Sequence, residues 1–146
     1  MFTIHEVTET SGRSNPELLA RAETVHRQLR PQLEADYPAQ MRRVFAGGGR
    51  MIVAAAGERV AGVAVWRILL RTHSPQDLYV DDLVTDNLQR STGIGRAMLG
   101  WLENRARELG CSQLCLDSGT HRQQAHKFYF REGLTVTAFH FVKPLR

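Results

Sequence analysis

The stretch LYVDDLVTDNLQRSTGIGRAML, residues 78–99, decides the fold. Residues 78–85 read as a strand in which Val80 and Val84 alternate with acids. From Ile94 the apolar positions switch to helical spacing, through Ala97, Met98, Trp101, Leu102 and Leu109, and Gly110 is the expected glycine past the helix end. The join between the two elements is short and holds Gly93 and Gly95. Lacking a Cβ, these positions let backbone N–H groups of residues 91–96 close on a ligand at the positive end of the helix, where a diphosphate is the natural guest. Tight strand-to-helix packing would call for the same glycines, and the segment alone does not separate the two readings. Two other phosphate motifs are excluded. GIGRAM lacks the third glycine of a dinucleotide fingerprint, and no lysine followed by serine or threonine completes a P-loop.

Upstream of this segment, residues 51–56 and 60–69 are rich in valine and isoleucine and join across Gly57 and Glu58, which predicts a β-hairpin. Residues 71–76, with His73 and Pro75, form a loop. Residues 2–8 alternate weakly as an N-terminal strand. Ser14, Asn15, Pro16 and Glu17 then open a helix with its stripe at Leu18, Ala22, Val25 and Leu29, broken near Pro31. A second short helix is expected over residues 39–45, ended by Gly47, Gly48 and Gly49. Downstream, residues 113–117 read as a strand. Thr120 and Gln123 form a capping-box pattern ahead of a helix carrying Ala125, Phe128 and Tyr129 on one face, ended by Gly133. Residues 134–142 return to β-branched and aromatic alternation as a last strand. The order is β, α, α, β, β, β, α, β, α, β, without repeats, low-complexity stretches or linkers.

At 146 residues and 42% apolar content, the chain fits one domain spanning 1–146. Nowhere do eighteen apolar residues run together, and MFTIHEVTET lacks the basic flank and apolar stretch of a signal peptide, so a cytoplasmic protein with no membrane partner is expected. The formal charge of +4 suits a polyanion, whether a nucleic acid or a phosphate-bearing cofactor, and equally a solvated surface. Cys111 and Cys115, placed along one strand, would stand roughly 13 Å apart, too far for a disulfide. Free thiols are expected, and no cysteine or histidine spacing such as HExxH points to a metal.

The 78–99 segment resembles the acetyl-coenzyme A motif of the GNAT (Gcn5-related N-acetyltransferase) superfamily, a strand ending in an apolar triplet followed by Q/R-x-x-G-x-G/A. Here the triplet is Leu83, Val84 and Thr85, and the string is Arg90, Ser91, Thr92, Gly93, Ile94 and Gly95, with Arg96 next. The resemblance implies that the triplet's backbone pairs with the pantetheine arm and that the loop amides hold the pyrophosphate. HRQQAHKFYFREGL, residues 121–134, is similar to the family's N-x-x-A-x-x-F/L-Y-x-x-x-G-F helix at Ala125, Phe128, Tyr129 and Gly133. It departs from the pattern at Arg122, which replaces the usual asparagine contact to the cofactor, and at Leu134, which replaces phenylalanine. Arg122 could instead meet a phosphate, or be an exposed helix arginine. The resemblance covers residues 50–143 and implies an α/β (α+β) GNAT fold. In that fold a single mixed, mostly antiparallel sheet, flanked by about four helices, splays between its fourth and fifth strands, with acetyl-coenzyme A as cosubstrate.

Acetyl transfer from a thioester to an amine needs a neutral amine, a polarised carbonyl and a proton for the departing thiolate. By resemblance Tyr129 is the acid that supplies that proton; packing beside Phe128 is its plainer role. Candidate bases are Asp81, Asp82 and Asp117, the last standing where some family members carry a glutamate. Strict alternation puts Asp81 and Tyr79 on one strand face and Asp82 on the other, so the two aspartates could not share a role. His121, His126 and His140 could relay a proton. The leading function is acetyl transfer to a primary amine of a small molecule, with a protein amine as the narrower variant. Polyamines, aminoglycosides, aminophosphonates and amino acids all stay open. The alternative is a non-catalytic module that binds coenzyme A or nucleic acid, although missing arginine clusters and interleaved aromatics argue against nucleic acid. A homodimer is compatible with this reading, and nothing in the sequence fixes the oligomeric state.

Overall fold

The computed structural model describes all of residues 1–146 except Thr10 and Gly12. Its elements run β1 (Thr3–Glu6), α1 (Pro16–Leu29), α2 (Tyr37–Ala46), β2 (Arg50–Ala56), β3 (Arg59–Leu69), β4 (Asp77–Thr85), a 3-10 turn at Asn87–Gln89, α3 (Ile94–Glu108), β5 (Gln113–Leu116) and α4 (Gln123–Arg131). The chain divides into two compact units, Met1–Cys115 and Leu116–Arg146. The mixed sheet has the order β1-β2-β3-β4-β5. Antiparallel ladders join the first four strands in register, for instance Met51 opposite Val65 and Val63 opposite Val84. Among the described residues no helix is long and apolar enough to cross a membrane.

Local chemistry explains the helix starts. Asn15 Oδ1 accepts from the backbone N–H of Glu17 and Leu18, with Pro16 in the first turn of α1. Asp36 Oδ1 does the same for Ala39 and starts α2 two residues earlier than the sequence pattern suggested. Buried Leu19, Ala22 and Val25 of α1 and Tyr37, Met41 and Phe45 of α2 join Met51, Val53, Val63, Val65 and Val84 of the sheet in one core. Each aliphatic side chain fully removed from water contributes about 1.5–3 kcal/mol. Gly62 on β3 admits α3 to close range. A Cβ there would fall 2.6 Å from Met98 Cε and 2.9 Å from Ile94 Cγ2.

The structure departs from the sequence pattern in four further places. The β3–β4 register slips, with Val65 opposite Asp82 but Trp66 opposite Val80, so Asp81 is the extra residue of a β-bulge and strict alternation fails there. Strand β5 stops at Leu116, which leaves Asp117 one residue beyond it. Helix α4 begins after Arg122 with no side-chain cap, so the Thr120 and Gln123 pattern does not act as a capping box. Residues 134–146 form no strand, because alternation supplies strand propensity but not a neighbour to pair with. Cys111 and Cys115 are not joined in a disulfide and are both half-buried.

Candidate functional site

Within the first unit, the segment after β4 is held from α1. Gln28 Nε2 donates to Asp86 Oδ1 at 3.2 Å, while Gln28 Oε1 accepts from the backbone N–H of Asn87 at 2.9 Å. The Gln28 bond, reinforced by the Leu88 N–H and by Arg59, outweighs burial and holds the Asp86 carboxyl below its usual range. Two residues beyond this anchor adopt left-handed backbone, Ser91 with φ 64° and Gly93 with φ 87°. For an L-residue such as Ser91 this conformation costs about 1–2 kcal/mol. Thr92 Oγ1 donates to the Gln89 carbonyl and tightens the turn.

Gly93 is the N-cap of α3. No side chain caps this helix and no acid stands in its first turn. Its leading amides therefore carry the partial positive charge of a helix start without an internal counter-charge. Arg90, Ser91, Thr92, Gly93 and Arg96 are exposed and Gly95 is half-buried, whereas Ile94 points into the core at 4% exposure and can offer only its backbone. Of the apolar triplet, Val84 is buried while Leu83 and Thr85 are half-buried. This is the donor set a diphosphate requires: backbone N–H groups and cations, with no carboxylate among residues 90–96.

The second feature of this unit is a cavity of about 220 Å³ lined by residues of α1, α2, β3 and β4, including His26, Arg30, Arg67, Asp81 and Asp82. The bulge brings both aspartates to its wall, which overturns the expectation that they face opposite sides. Asp82 is fully engaged. Its Oδ2 lies 2.7 Å from His26 Nε2, and its Oδ1 accepts from Arg30 Nε at 2.7 Å. Burial alone would raise the Asp82 pKa, but the hydrogen bond and charge of His26, with those of Arg30, hold it below the usual value. His26 Nδ1 meets the Tyr37 hydroxyl at 2.8 Å, so the buried ring is fixed at both nitrogens. Burial first, then the Glu23 and Asp82 carboxylates, push the Tyr37 phenol well above its ordinary pKa. Asp81 is held differently. Arg67 donates to its Oδ2 through both Nε, at 2.8 Å, and a terminal nitrogen, at 2.6 Å, and no described bond takes its Oδ1.

In the second unit, Tyr129 is buried on α4 and edge-on to Phe128, with ring centroids 5.5 Å apart. Burial raises its phenol pKa, and the Arg122 guanidinium opposes that rise by its charge. Ala125 is half-buried on the same helix. The helix start is tied down by Gly119, whose carbonyl accepts from the Arg122 N–H and from His126 Nε2 at 2.8 Å. Asp117 is exposed and lies 3.0 Å from His140 Nδ1, and His121 is exposed.

Sequence reading missed His26, Arg30, Tyr37 and Arg67, whose partners lie eleven to fifty-six positions away along the chain. A signal existed for His26 alone. It falls on the apolar face of α1 with Ala22 and Leu29, where a buried polar ring must find partners.

With this geometry in hand, the comparisons with known proteins agree with one another. The model of the Acetyltransferase (GNAT) family matches residues 16–133, and the chain belongs to that family. It is 36% identical over 74 residues to the uncharacterized N-acetyltransferase YhdJ of Bacillus subtilis (strain 168), covering 50% of this chain and 52% of that protein. Over 66 residues it is 36% identical to an aminoalkylphosphonate N-acetyltransferase of Salmonella typhimurium, covering 45% and 43% respectively. The matches thus span about half the length of these curated relatives. Among solved structures, the aminoglycoside N-acetyltransferase AAC(6')-Iy in complex with CoA superposes with a TM-score of 0.82, covering 100% of this chain and 95% of that one at 16% identity, which shows a shared fold.

Proposed function

We propose that this chain acts as one N-acetyltransferase domain that moves acetyl from acetyl-coenzyme A to a primary amine of a small molecule. The observation that carries this reading is the loop of residues 90–95. Its two left-handed residues open onto an uncapped, acid-free helix start, on a string that matches the family's cofactor motif. The coenzyme, when bound, supplies the activated thioester carbonyl. The loop amides, with Arg90 and Arg96, hold its diphosphate, and the backbone of Leu83, Val84 and Thr85 receives the arm that precedes the thioester. Tyr129 holds the proton that the sulfur needs, since a phenol is already protonated at neutral pH and burial raises its pKa further. Arg122 and the α4 residues Ala125 and Phe128 flank that role.

On the acceptor side, Asp81 is the better base of the paired aspartates, because no described bond takes its Oδ1 while both oxygens of Asp82 are engaged. Asp117, paired with His140, is the weaker candidate. Arg30 and Arg67 line the same cavity but are each paired with an aspartate there, so what points to a particular acceptor is the chain's likeness over 66 residues to an aminoalkylphosphonate N-acetyltransferase. Aminoalkylphosphonates therefore head the panel of acceptors to be tried.

The test is thiol release from acetyl-coenzyme A across such a panel, with polyamines, aminoglycosides and amino acids beside the aminophosphonates. Turnover with at least one amine is expected, and Tyr129→Phe should lower kcat by about 10²–10⁴ at an unchanged melting temperature. Wild-type turnover in that variant would falsify the acid role. Coenzyme binding with no thiol release from any amine would instead favour a silent binding module.

A further inference from the structure

The first unit holds another cavity, of about 620 Å³, between the residues just before α1, the end of α2 and the start of β2. Arg13, Arg42, Arg50, Ser11 and Ser14 line it, and none of the described lining residues is an acid. Arginine in this chain is ordinarily paired. Arg43, one position along α2 from Arg42, meets Glu34 Oε2 at 2.6 Å, and Arg27, Arg59, Arg67 and Arg105 each reach a carboxylate as well. In contrast, none of the described ion pairs or side-chain hydrogen bonds takes the guanidinium of Arg13 or Arg42, and Arg50 gives one N–H to the neighbouring Gly49 carbonyl at 3.3 Å. Glu9 touches the lining, where its Oε2 accepts from Ser11 Oγ at 3.2 Å, but it is paired with none of the three guanidiniums. Nor does the end of α2 need these arginines as caps. Backbone N–H groups of Gly47, Gly48 and Gly49 already take the carbonyls of Arg43, Phe45 and Val44. The cavity thus gathers three positive charges that repel one another, and an anion between them relieves that repulsion.

We propose that this cavity is a binding site for a small molecule carrying two phosphoryl groups. The guanidinium fork matches phosphoryl oxygens two at a time. One phosphoryl group, at about −1.5 to −2 near neutral pH, leaves three guanidiniums in excess, and two groups offset them. Ser14 adds a hydroxyl donor to the same wall. The volume falls within the range of about 300–1,000 Å³ usual for small-molecule sites, so an organic body fits beside the phosphoryl groups. The site is separate from the loop of residues 90–95. Arg50 faces Trp66 and Trp66 faces Val80, whereas the loop leaves β4 beyond Thr85, roughly 15 Å further along that strand. It is separate from the cavity beside Asp82 too, with which it shares no lining residue.

The test uses the full chain with coenzyme A in excess, so that the loop of residues 90–95 is filled, and it does not depend on acetyl transfer. Calorimetric titration with sodium pyrophosphate at constant ionic strength should show one anion bound per chain, more tightly than inorganic phosphate. Arg42→Gln and Arg50→Gln together should raise the pyrophosphate Kd by about tenfold or more. Arg90→Gln, in the loop, should leave that Kd unchanged, which keeps the two sites distinguishable even if coenzyme A leaves the loop empty. Arg42→Gln alone removes an exposed guanidinium. It should weaken pyrophosphate while the melting temperature of the unliganded protein stays the same or rises, because a source of repulsion is gone. Pyrophosphate that binds no better than phosphate would overturn the proposal. So would a double variant of wild-type affinity, or a Kd that responds to Arg90→Gln and not to Arg42→Gln.

Discussion

The loop of residues 86–96 and the cavity beside Asp82 are both arranged to meet charge, by opposite means. The loop offers partial charges fixed in the backbone. Ser91 and Gly93 turn it, Gln28 anchors it, and the start of α3 is left without a counter-charge of its own. The cavity offers full charges on side chains, and most of these are already neutralised by one another, His26 and Arg30 against Asp82 and Arg67 against Asp81. A backbone site of this kind is insensitive to pH and sensitive to conformation. A side-chain site is the reverse, and its members divide into those that hold the fold and those with an oxygen to spare.

The largest effect should come from that division. Asp82→Ala leaves the buried His26 and the partly exposed Arg30 without their acceptor, and a broken pair of this kind costs about 3 kcal/mol. In a chain of this size the melting temperature should fall by on the order of 10 °C. Asp81→Asn touches an ion pair that is about one-quarter exposed on each side, 27% for Arg67 and 25% for Asp81. Its cost should stay below about 1 kcal/mol, while the acceptor's kcat/KM falls. Denaturation curves of the two variants measured together decide the matter. Equal losses of stability would mean that the bulge gives the neighbours one role, not two.

The loop should respond to conformation alone. Acetyl-coenzyme A at a hundred times its Kd should stabilise the wild type by about 2.7 kcal/mol, with NAD and ATP doing much less. Gly93→Val adds a Cβ that meets nothing within 4 Å, yet it forces an L-residue to φ 87°. Stability should drop by about 1–2 kcal/mol, and the coenzyme Kd should rise at least tenfold, about 1.4 kcal/mol. Calorimetric titration of the folded variant checks this. Unchanged affinity would reduce Gly93 to a packing residue.

These contrasts also mark what could be read from the sequence. Element order was legible as far as α4, and part of the core with it, because Ala22, Val25 and Val84 announce their burial by periodicity, whereas the α1 stripe expected at Leu18 and Leu29 is only half-buried, with Leu19 in the core instead, and the last strand expected over residues 134–142 is not formed. The loop was legible as well, since glycine at a strand-to-helix join reports a backbone need wherever it stands. The cavity was not. Its pairs join α1 and α2 to β4 across long stretches of chain, and the bulge that brings Asp81 beside Asp82 is a one-residue slip that no alternation pattern predicts.

The smallest effect, and the one that bears most directly on backbone against side-chain charge, is the response to acid. Asp82 has a folded pKa below its unfolded value of about 3.9. Its contribution to stability is therefore fully present above about pH 4 and is lost as the pH falls through the folded pKa. In that window the unfolded chain binds the proton first, so stability declines with a slope of at most about 1.4 kcal/mol per pH unit from this one group. Asp86 and Asp77 add slopes of the same sign, since their pKa values are also lowered. Replacing Asp82 with asparagine removes one titrating group and no backbone feature. Urea melts from pH 5 downward should then show a stability curve that starts lower than wild type and declines less steeply. A coenzyme-induced gain in stability measured on both proteins at neutral pH should be the same, because the loop uses none of these carboxylates to receive its ligand. If the Asp82→Asn variant kept the wild-type slope, the charge of Asp82 would already be neutralised in the folded wild type, and the ion pairs drawn around it would have to be reassigned as neutral hydrogen bonds.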